Sequence, residues 1–271
     1  MRARLEVTLA NSHFHRFKNR SVTMIRIFRK LKRLLNSQIN ALRLGFFFTR
    51  FSAFKMPERV SVGGNKIRLH YPPEYGAHCD FIGCCVLNVY GLSQQLSDLK
   101  SILDIGANVG FFSIAARSRY PGATIHAYEP NPRTLPFLHS NVEQLGVTIY
   151  PEALGAGEGH VSVIDTGDCN GARTVESSEG PIMQVSLDRA IARIGGTVDL
   201  LKLDCEGAEW EMFRSAAPWR HVRNLRMEYH LSGGQRVQDV EDALGHLGFE
   251  VIRVDADGAM GMVWAVSLNR S

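Results

Sequence analysis

The sequence predicts an α/β fold, a doubly wound and mostly parallel sheet, and three observations predict it. From about residue 100 onward, short apolar runs alternate with longer amphipathic stretches, the pattern of successive βαβ units. Two of the runs, Ser101–Ile105 and Leu200–Leu203, pass into an acid and a glycine turn before a helical stretch. A strand buried on both faces delivers charge to its carboxyl end in this way, where open α/β sheets bind ligands. The chain then closes with two runs joined by Asp255-Ala-Asp-Gly258, a tight connection that makes the last pair antiparallel.

The order of elements follows from the same signals. Residues 1–59 carry 14 Lys/Arg against two acids, although the whole chain of 271 residues has a net charge of only +4, so a basic beginning precedes an acidic remainder. Within it, Met24 to Phe54 reads as a basic amphipathic helix or helix pair, with a break at Gly45 and Met24 as a natural start after a possible upstream extension. Three uses compete for this segment: a packed or solvated arm, docking on an anionic membrane surface through residues 24–54, and organelle targeting.

Residues 60–99 predict a short hairpin around Gly63-Gly64, a connection at Pro72-Pro73 and a helical stretch from Asp80 to Leu96. Residues 100–271 then form the main domain. Its strands are Ser101–Ile105, Ala123–Tyr128, Val147–Tyr150, Val198–Asp204 and Val222–Tyr229, and its closing strands are Phe249–Val254 and Gly261–Leu268. Helices fall at Phe111–Arg119, Pro132–Leu145, Leu187–Ile194, Ala208–Ala217 and Arg236–Leu247. Asn131 and Pro132 suit a helix start, but Pro136 puts the first turn of that helix at risk. Residues 155–185, rich in Gly, Ser and Thr, read as a hairpin excursion that shapes a pocket at the sheet edge.

Composition narrows the function. A hydrophobic content of 45% suits one sizeable buried core. No apolar run is long enough to span a bilayer, and a cytoplasmic protein, with contact at the inner membrane face as the variant, is the expectation. Five cysteines without paired spacing indicate neither a disulfide framework nor a zinc ribbon, and Cys84-Cys85 read as core residues. No basic face beyond the N-terminus argues for nucleic acid as a partner.

The chemistry concentrates at the strand ends. A dinucleotide fingerprint needs glycine at three positions, and here Asn108 and Phe111 replace the second and third after Gly106, which disfavours a pyrophosphate. Asp104, just before that turn, opposes a polyphosphate and suits a cationic ligand such as the ammonium and sulfonium of S-adenosylmethionine. Glu129, 25 residues on at the next strand end, is placed to accept hydrogen bonds from a ribose diol.

Three blocks in order now carry a resemblance: Asp104-Ile-Gly-Ala-Asn-Val-Gly110, Tyr128-Glu-Pro-Asn-Pro132 and Leu201-Lys-Leu-Asp-Cys-Glu-Gly-Ala-Glu209, with Glu228-Tyr-His230 as a shorter fourth. Together they resemble the FkbM-family methyltransferases, a branch of the class I S-adenosylmethionine-dependent enzymes. The likeness spans about residues 100–230, and Cys205 stands where the family's signature has an aliphatic residue. It implies a Rossmann-like sheet of seven strands, transfer of a methyl group from S-adenosylmethionine, and a hydroxyl acceptor on a glycan, polyketide or other secondary metabolite; the basic N-terminal helix adds a lipid-linked sugar to these. On this reading Asp104, Gly106, Asn108, Gly110, Glu129, Pro130 and Asn131 hold the cofactor.

Methyl transfer requires an acceptor held in line and a base for its proton. Asp204, Glu206 and His230 are the candidate bases, with His230 and Asp204 ranked first. Lys202, in mid-strand, needs a carboxylate partner such as Glu228 or Asp204, and serves either structure or the electrostatics of the site. The acids Asp204, Glu206, Glu209 and Glu228 also offer oxygen ligands to Mg²⁺, although acid spacing alone does not assign a metal. Two other functions are the alternatives, an NAD-dependent oxidoreductase or epimerase, and a catalytically silent membrane-associated scaffold of the same fold.

Overall fold

The computed structural model describes residues 31–93 and 96–269, so the readings made for residues 1–30, including a start at Met24, lie outside the described residues. Helix α1 (31–43) has a divided surface. Ala41 and, just beyond the helix, Leu44 and Phe48 are buried in the core. Leu31, Leu35, Ile39 and Leu42 form an exposed row at helical spacing on another side.

Strands β1 (Arg59–Val62) and β2 (Asn65–Arg68) form the expected hairpin, with Val62 opposite Asn65. Its two-residue turn demands positive φ at both central positions, and Gly63 and Gly64 provide +59° and +86°. The following helix starts earlier and stops sooner than its sequence predicts. Helix α2 (Tyr75–Phe81) widens into a π-helical stretch, Ile82–Leu87, which ends at Asn88 in the left-handed conformation, φ +53°. The Asn88 side chain accepts a hydrogen bond from the Leu92 amide at 2.8 Å, which holds the chain in a turn instead of a further helical course.

The main sheet has seven strands, in the order β12-β13-β11-β10-β3-β4-β5. They are β3 (Ser101–Ile105), β4 (Thr124–Tyr128), β5 (Thr148–Tyr150), β10 (Leu200–Leu203), β11 (Asn224–His230), β12 (Phe249–Asp257) and β13 (Met260–Ser267). β13 alone is antiparallel to the direction of the other six strands, as the closing hairpin predicts. Alternation along β3 sends Ile102 into one apolar layer and Leu103 and Ile105 into the other, so both faces of the strand are buried. Each such side chain, fully removed from water, contributes roughly 1.5–3 kcal/mol.

The winding helices are α3 (Phe111–Arg119), α4 (Leu135–Val142), α5 (Leu187–Arg193), α6 (Glu209–Met212) and α7 (Val237–His246). Helix α4 lacks the turn that Pro136 put at risk. Helix α6 is much shorter than its sequence pattern, because the Met212 carbonyl accepts a hydrogen bond from the Trp219 indole at 3.2 Å, which draws Trp219 into the core and turns the chain. Between β5 and α5 the chain builds a second sheet of four strands, where the sequence suggests a hairpin. Strands β6 (Ala153–Gly155), β7 (Gly159–Ile164), β8 (Arg173–Glu176) and β9 (Ile182–Ser186) take the order β6-β9-β7-β8.

Candidate active site

Strands β3 and β10 are neighbours in the sheet, yet the chain winds away from them in opposite directions, through β4 to β5 on one side and through β11 on the other. A crevice forms at such a switch point, outside the carboxyl ends of the strands. Here it is a cavity of about 290 Å³, on the scale of a small-ligand pocket. Its floor is made by the tips of β3, β4, β10 and β11, and its outer wall by α2 and the loop 165–172.

The turn after β3 passes so close to the end of β10 that a Cβ on Gly106 would lie 1.8 Å from the Asp204 carbonyl oxygen. With φ at +73° as well, only glycine fits. Beyond the turn, Glu129 follows β4 with both carboxylate oxygens engaged: Oε2 accepts from the Asn108 amide at 2.7 Å and Oε1 from the Asn131 amide at 2.8 Å. Burial raises its pKa, and these two backbone donors act in the opposite direction. Glu129, Pro130, Gly106 and Asn108 line the cavity, and each Glu129 oxygen keeps a lone pair for a ligand hydroxyl.

Asp104 does not line it. Its side chain is fully buried below the floor, accepts a hydrogen bond from Ser113 Oγ at 2.6 Å and lies 3.5 Å from Lys202 Nζ. Burial raises its pKa, against the opposing pull of Lys202 and Ser113. Gly110 and Asn131 also stand behind the wall. Gly110 precedes α3 and packs under Leu138 and Val142, and the Asn131 side chain accepts from the Arg133 amide at 2.9 Å.

Lys202 is the electrostatic hub. Its ammonium donates to the carbonyls of Ile105, at 3.1 Å, and Gly106, and is 3.5 Å from both Asp104 and Asp204. Of the two partners that the sequence suggests, Asp204 is in contact, and Asp104 joins it where Glu228 was the alternative. Burial disfavours the ammonium, but Asp204 and Asp104 hold its pKa above the ordinary lysine value. Asp204 Oδ2 also accepts from the Tyr90 hydroxyl at 2.9 Å.

Glu206 sits in the left-handed region, φ +54°, on the turn between β10 and α6, a strained conformation for a side chain of this type that turns it to the cavity. His230, at the end of β11, lies behind it. Its Nε2 is 3.3 Å from Glu206 Oε2 and its Nδ1 is 3.4 Å from Glu209 Oε1. Burial opposes the imidazolium, but the hydrogen bond and charge of Glu209, then the charges of Glu206 and Asp204, raise its pKa to about 9. Burial and the charge of Asp204 push Glu206 up to about 7, and likewise push Glu228, which also borders the cavity, up to about 8. The raised His230 pKa favours the imidazolium over the neutral imidazole that a base role requires, which shifts the balance between the two first-ranked candidates toward the carboxylates in front of it.

Two wall residues had no signal in the sequence. Asp80, from α2, accepts from Asn108 Nδ2 and from Asn170 Nδ2, both at 2.8 Å. Tyr90 comes from the turn after the π-helical stretch. The only trace of Asp80 is an acid at the start of an apolar run, Phe81 to Val89, a pattern shared by many solvated helix residues.

A model described as the methyltransferase FkbM domain matches residues 104–251, more than half of the chain. The chain belongs to the FkbM methyltransferase family. Among curated relatives of this FkbM methyltransferase, the 31-O-demethyl-FK506 methyltransferase FkbM of Streptomyces tacrolimicus is 28% identical over 220 residues, covering 64% of this chain and 80% of that one. Methyltransferase sdnD of Sordaria araneosa is 28% identical over 199 residues, covering 58% and 76%. Fibrillarin from Methanococcus jannaschii, a solved structure, is 13% identical with a TM-score of 0.45, covering 77% of this chain and 81% of that one. The Aeropyrum pernix fibrillarin with bound S-adenosyl-L-methionine is 16% identical with a TM-score of 0.42, covering 66% and 72%.

Proposed function

We propose that this methyltransferase moves a methyl group from S-adenosylmethionine to a hydroxyl of a small molecule, glycan or lipid-linked sugar, with Glu206 as the proton acceptor. The observation that carries it is one cavity joining two unlike ends: Glu129 on the cofactor loop at one, and Asp204, Glu206 and Glu228 with His230 behind them at the other. The sulfonium of the donor supplies an already activated methyl group. Glu129 suits the ribose diol, and the lining acids suit a cationic ligand in place of a pyrophosphate.

Within that site Lys202 fixes Asp204, and Tyr90 fixes its rotamer, so Asp204 presents an oriented acceptor to the substrate hydroxyl. The His230 imidazolium, braced by Glu209, keeps Glu206 poised near neutrality. Asp204, Glu206 and His230 each place one ligand atom within 4.8 Å of the others. Mg²⁺ fits this set poorly, because it favours an all-oxygen shell and the imidazole is held between two glutamates. Unchanged activity after chelation is expected.

We assign residues 100–271 as the donor-binding unit, with Asp80, Cys84 and Tyr90 of the preceding segment 60–99 on one wall of its pocket. For residues 24–54 the exposed row Leu31, Leu35, Ile39 and Leu42, flanked by Lys32 and Arg43, supports peripheral contact with an anionic membrane surface. Among the described residues no helix is long and apolar enough to cross a membrane. Sedimentation with anionic vesicles tests the contact, and a Leu35→Ser, Leu42→Ser variant that still sediments equally removes it.

Isothermal titration with S-adenosylmethionine tests the donor. Saturable binding by folded protein is expected, and its absence rejects the reading.

A further inference from the structure

We propose that Asp80, with the Asn108 side-chain carbonyl, receives the α-ammonium of the methyl donor, so that the acid beside the cofactor loop comes from α2, outside the parallel sheet. This rests on S-adenosylmethionine being the donor. The motif's own acid cannot take this role, because Asp104 is buried beneath the floor and committed to Ser113 and Lys202. Asp80 stands on the cavity wall instead.

Its surroundings define what it can hold. Asp80 Oδ2 accepts from Asn108 Nδ2 and Oδ1 from Asn170 Nδ2, each at 2.8 Å, which leaves further acceptor capacity on both oxygens. Asn108 Nδ2 also donates to Asn170 Oδ1 at 3.0 Å. With its amide nitrogen committed twice, the orientation of the Asn108 side chain is fixed by the network, and its Oδ1 is a buried acceptor without a protein partner among the described residues. A carboxylate and an orphaned carbonyl on one residue pair, with no donor assigned to the carbonyl, match a primary ammonium, which carries three N–H groups and no acceptor.

The placement agrees with the rest of the pocket. The Asn108 backbone N–H is bound to Glu129, where the ribose is assigned, and its side chain is bound to Asp80, so the two acids flank the cofactor loop. A donor whose ribose is held by Glu129 would bring its short amino-acid tail within reach of Asp80 across this loop. Lys202 does not neutralise Asp80 by contact, since its ammonium is engaged by the Ile105 and Gly106 carbonyls and by Asp104 and Asp204. Burial, then the charge of Asp204, pushes the Asp80 pKa up to about 7, the condition of an acid that lacks a cation.

The test compares S-adenosylhomocysteine with its analogue lacking only the α-amino group, by titration calorimetry on the full chain and on Asp80→Asn and Asp80→Glu. The wild type should bind S-adenosylhomocysteine about 10- to 100-fold more tightly than the deaminated analogue. Asp80→Asn should erase that preference by weakening S-adenosylhomocysteine far more than the analogue, and Asp80→Glu should restore part of it. A structural role would weaken both ligands alike, and that result overturns the proposal. Equal binding of both ligands by the wild type overturns it even if the Asp80→Asn protein fails to fold. Binding of neither by the wild type overturns the donor reading itself.

Discussion

The imidazole of His230 bridges two carboxylates, with Nε2 3.3 Å from Glu206 and Nδ1 3.4 Å from Glu209. Glu209 is almost wholly buried, so one side of the bridge is dry and the other opens to the cavity through Glu206. A cation fixed behind an acid sets the range of pH in which that acid can accept a proton and still be held in place.

The pH dependence of kcat/KM should therefore be bell-shaped. Its acid limb follows ionisation of Glu206 near pH 7, and its alkaline limb follows loss of the His230 proton near pH 9. Steady-state rates from about pH 5.5 to about pH 10 check this. Glu206→Gln should lower kcat by about 100-fold or more with little change in the KM for the donor, and His230→Asn should abolish the alkaline limb.

The same residue makes stability depend on pH. The folded His230 pKa, about 9, lies above the unfolded value, about 6.5, so the native state binds the extra proton between those limits. This contribution is complete below about pH 6.5 and disappears as the pH rises through about 9. Thermal unfolding of the wild type should show a falling Tm across that window, and His230→Asn should flatten that slope.

Replacing Lys202 by Met leaves Asp104 and Asp204 facing each other without their shared cation. Breaking a buried ion pair on one side costs about 3–5 kcal/mol, and denaturant unfolding should show a loss of that order. The Lys202→Met, Asp104→Asn double variant should recover a substantial part of it, because the second change removes the stranded charge.

Gly106→Ala places a methyl group against the Asp204 carbonyl and holds alanine at φ +73°. Both effects act on the site and not on the distant core. Donor affinity measured by calorimetry should fall by about tenfold or more, with a smaller proportional change in unfolding free energy.

Much of the sheet is legible in the sequence because its strands declare themselves twice, by apolar runs and by what ends them. Ser101–Ile105 and Phe111–Arg119 have the same limits in the sequence reading and in the structure. The stretch after Gly207 is less legible, since nothing local shows that Trp219 will take the Met212 carbonyl and stop α6. The second sheet reads as a hairpin because β6 and β8 are only three and four residues long. In the site, spacing along the chain locates Glu129, Asp204 and Glu206 at the crevice. It does not show that Lys202 draws Asp104 below the floor, or that Asp80 arrives from a helix preceding the sheet, because both depend on pairing across the fold.

The outer wall of the pocket is fastened unlike its floor. Asp80 to Asn170, the Cys169 amide to Glu74, and the Gly76 amide to Asp168 join α2 to the loop 165–172, and none of these bonds belongs to the seven-stranded ladder. This clasp can come undone without breaking a single rung of that sheet. The pocket's outer wall is thereby built separately from the framework that carries Asp204, Glu206 and Glu228, and a chimera exchanging residues 156–181 would remake that wall, Asn170 included, while the sheet-borne acids keep their positions.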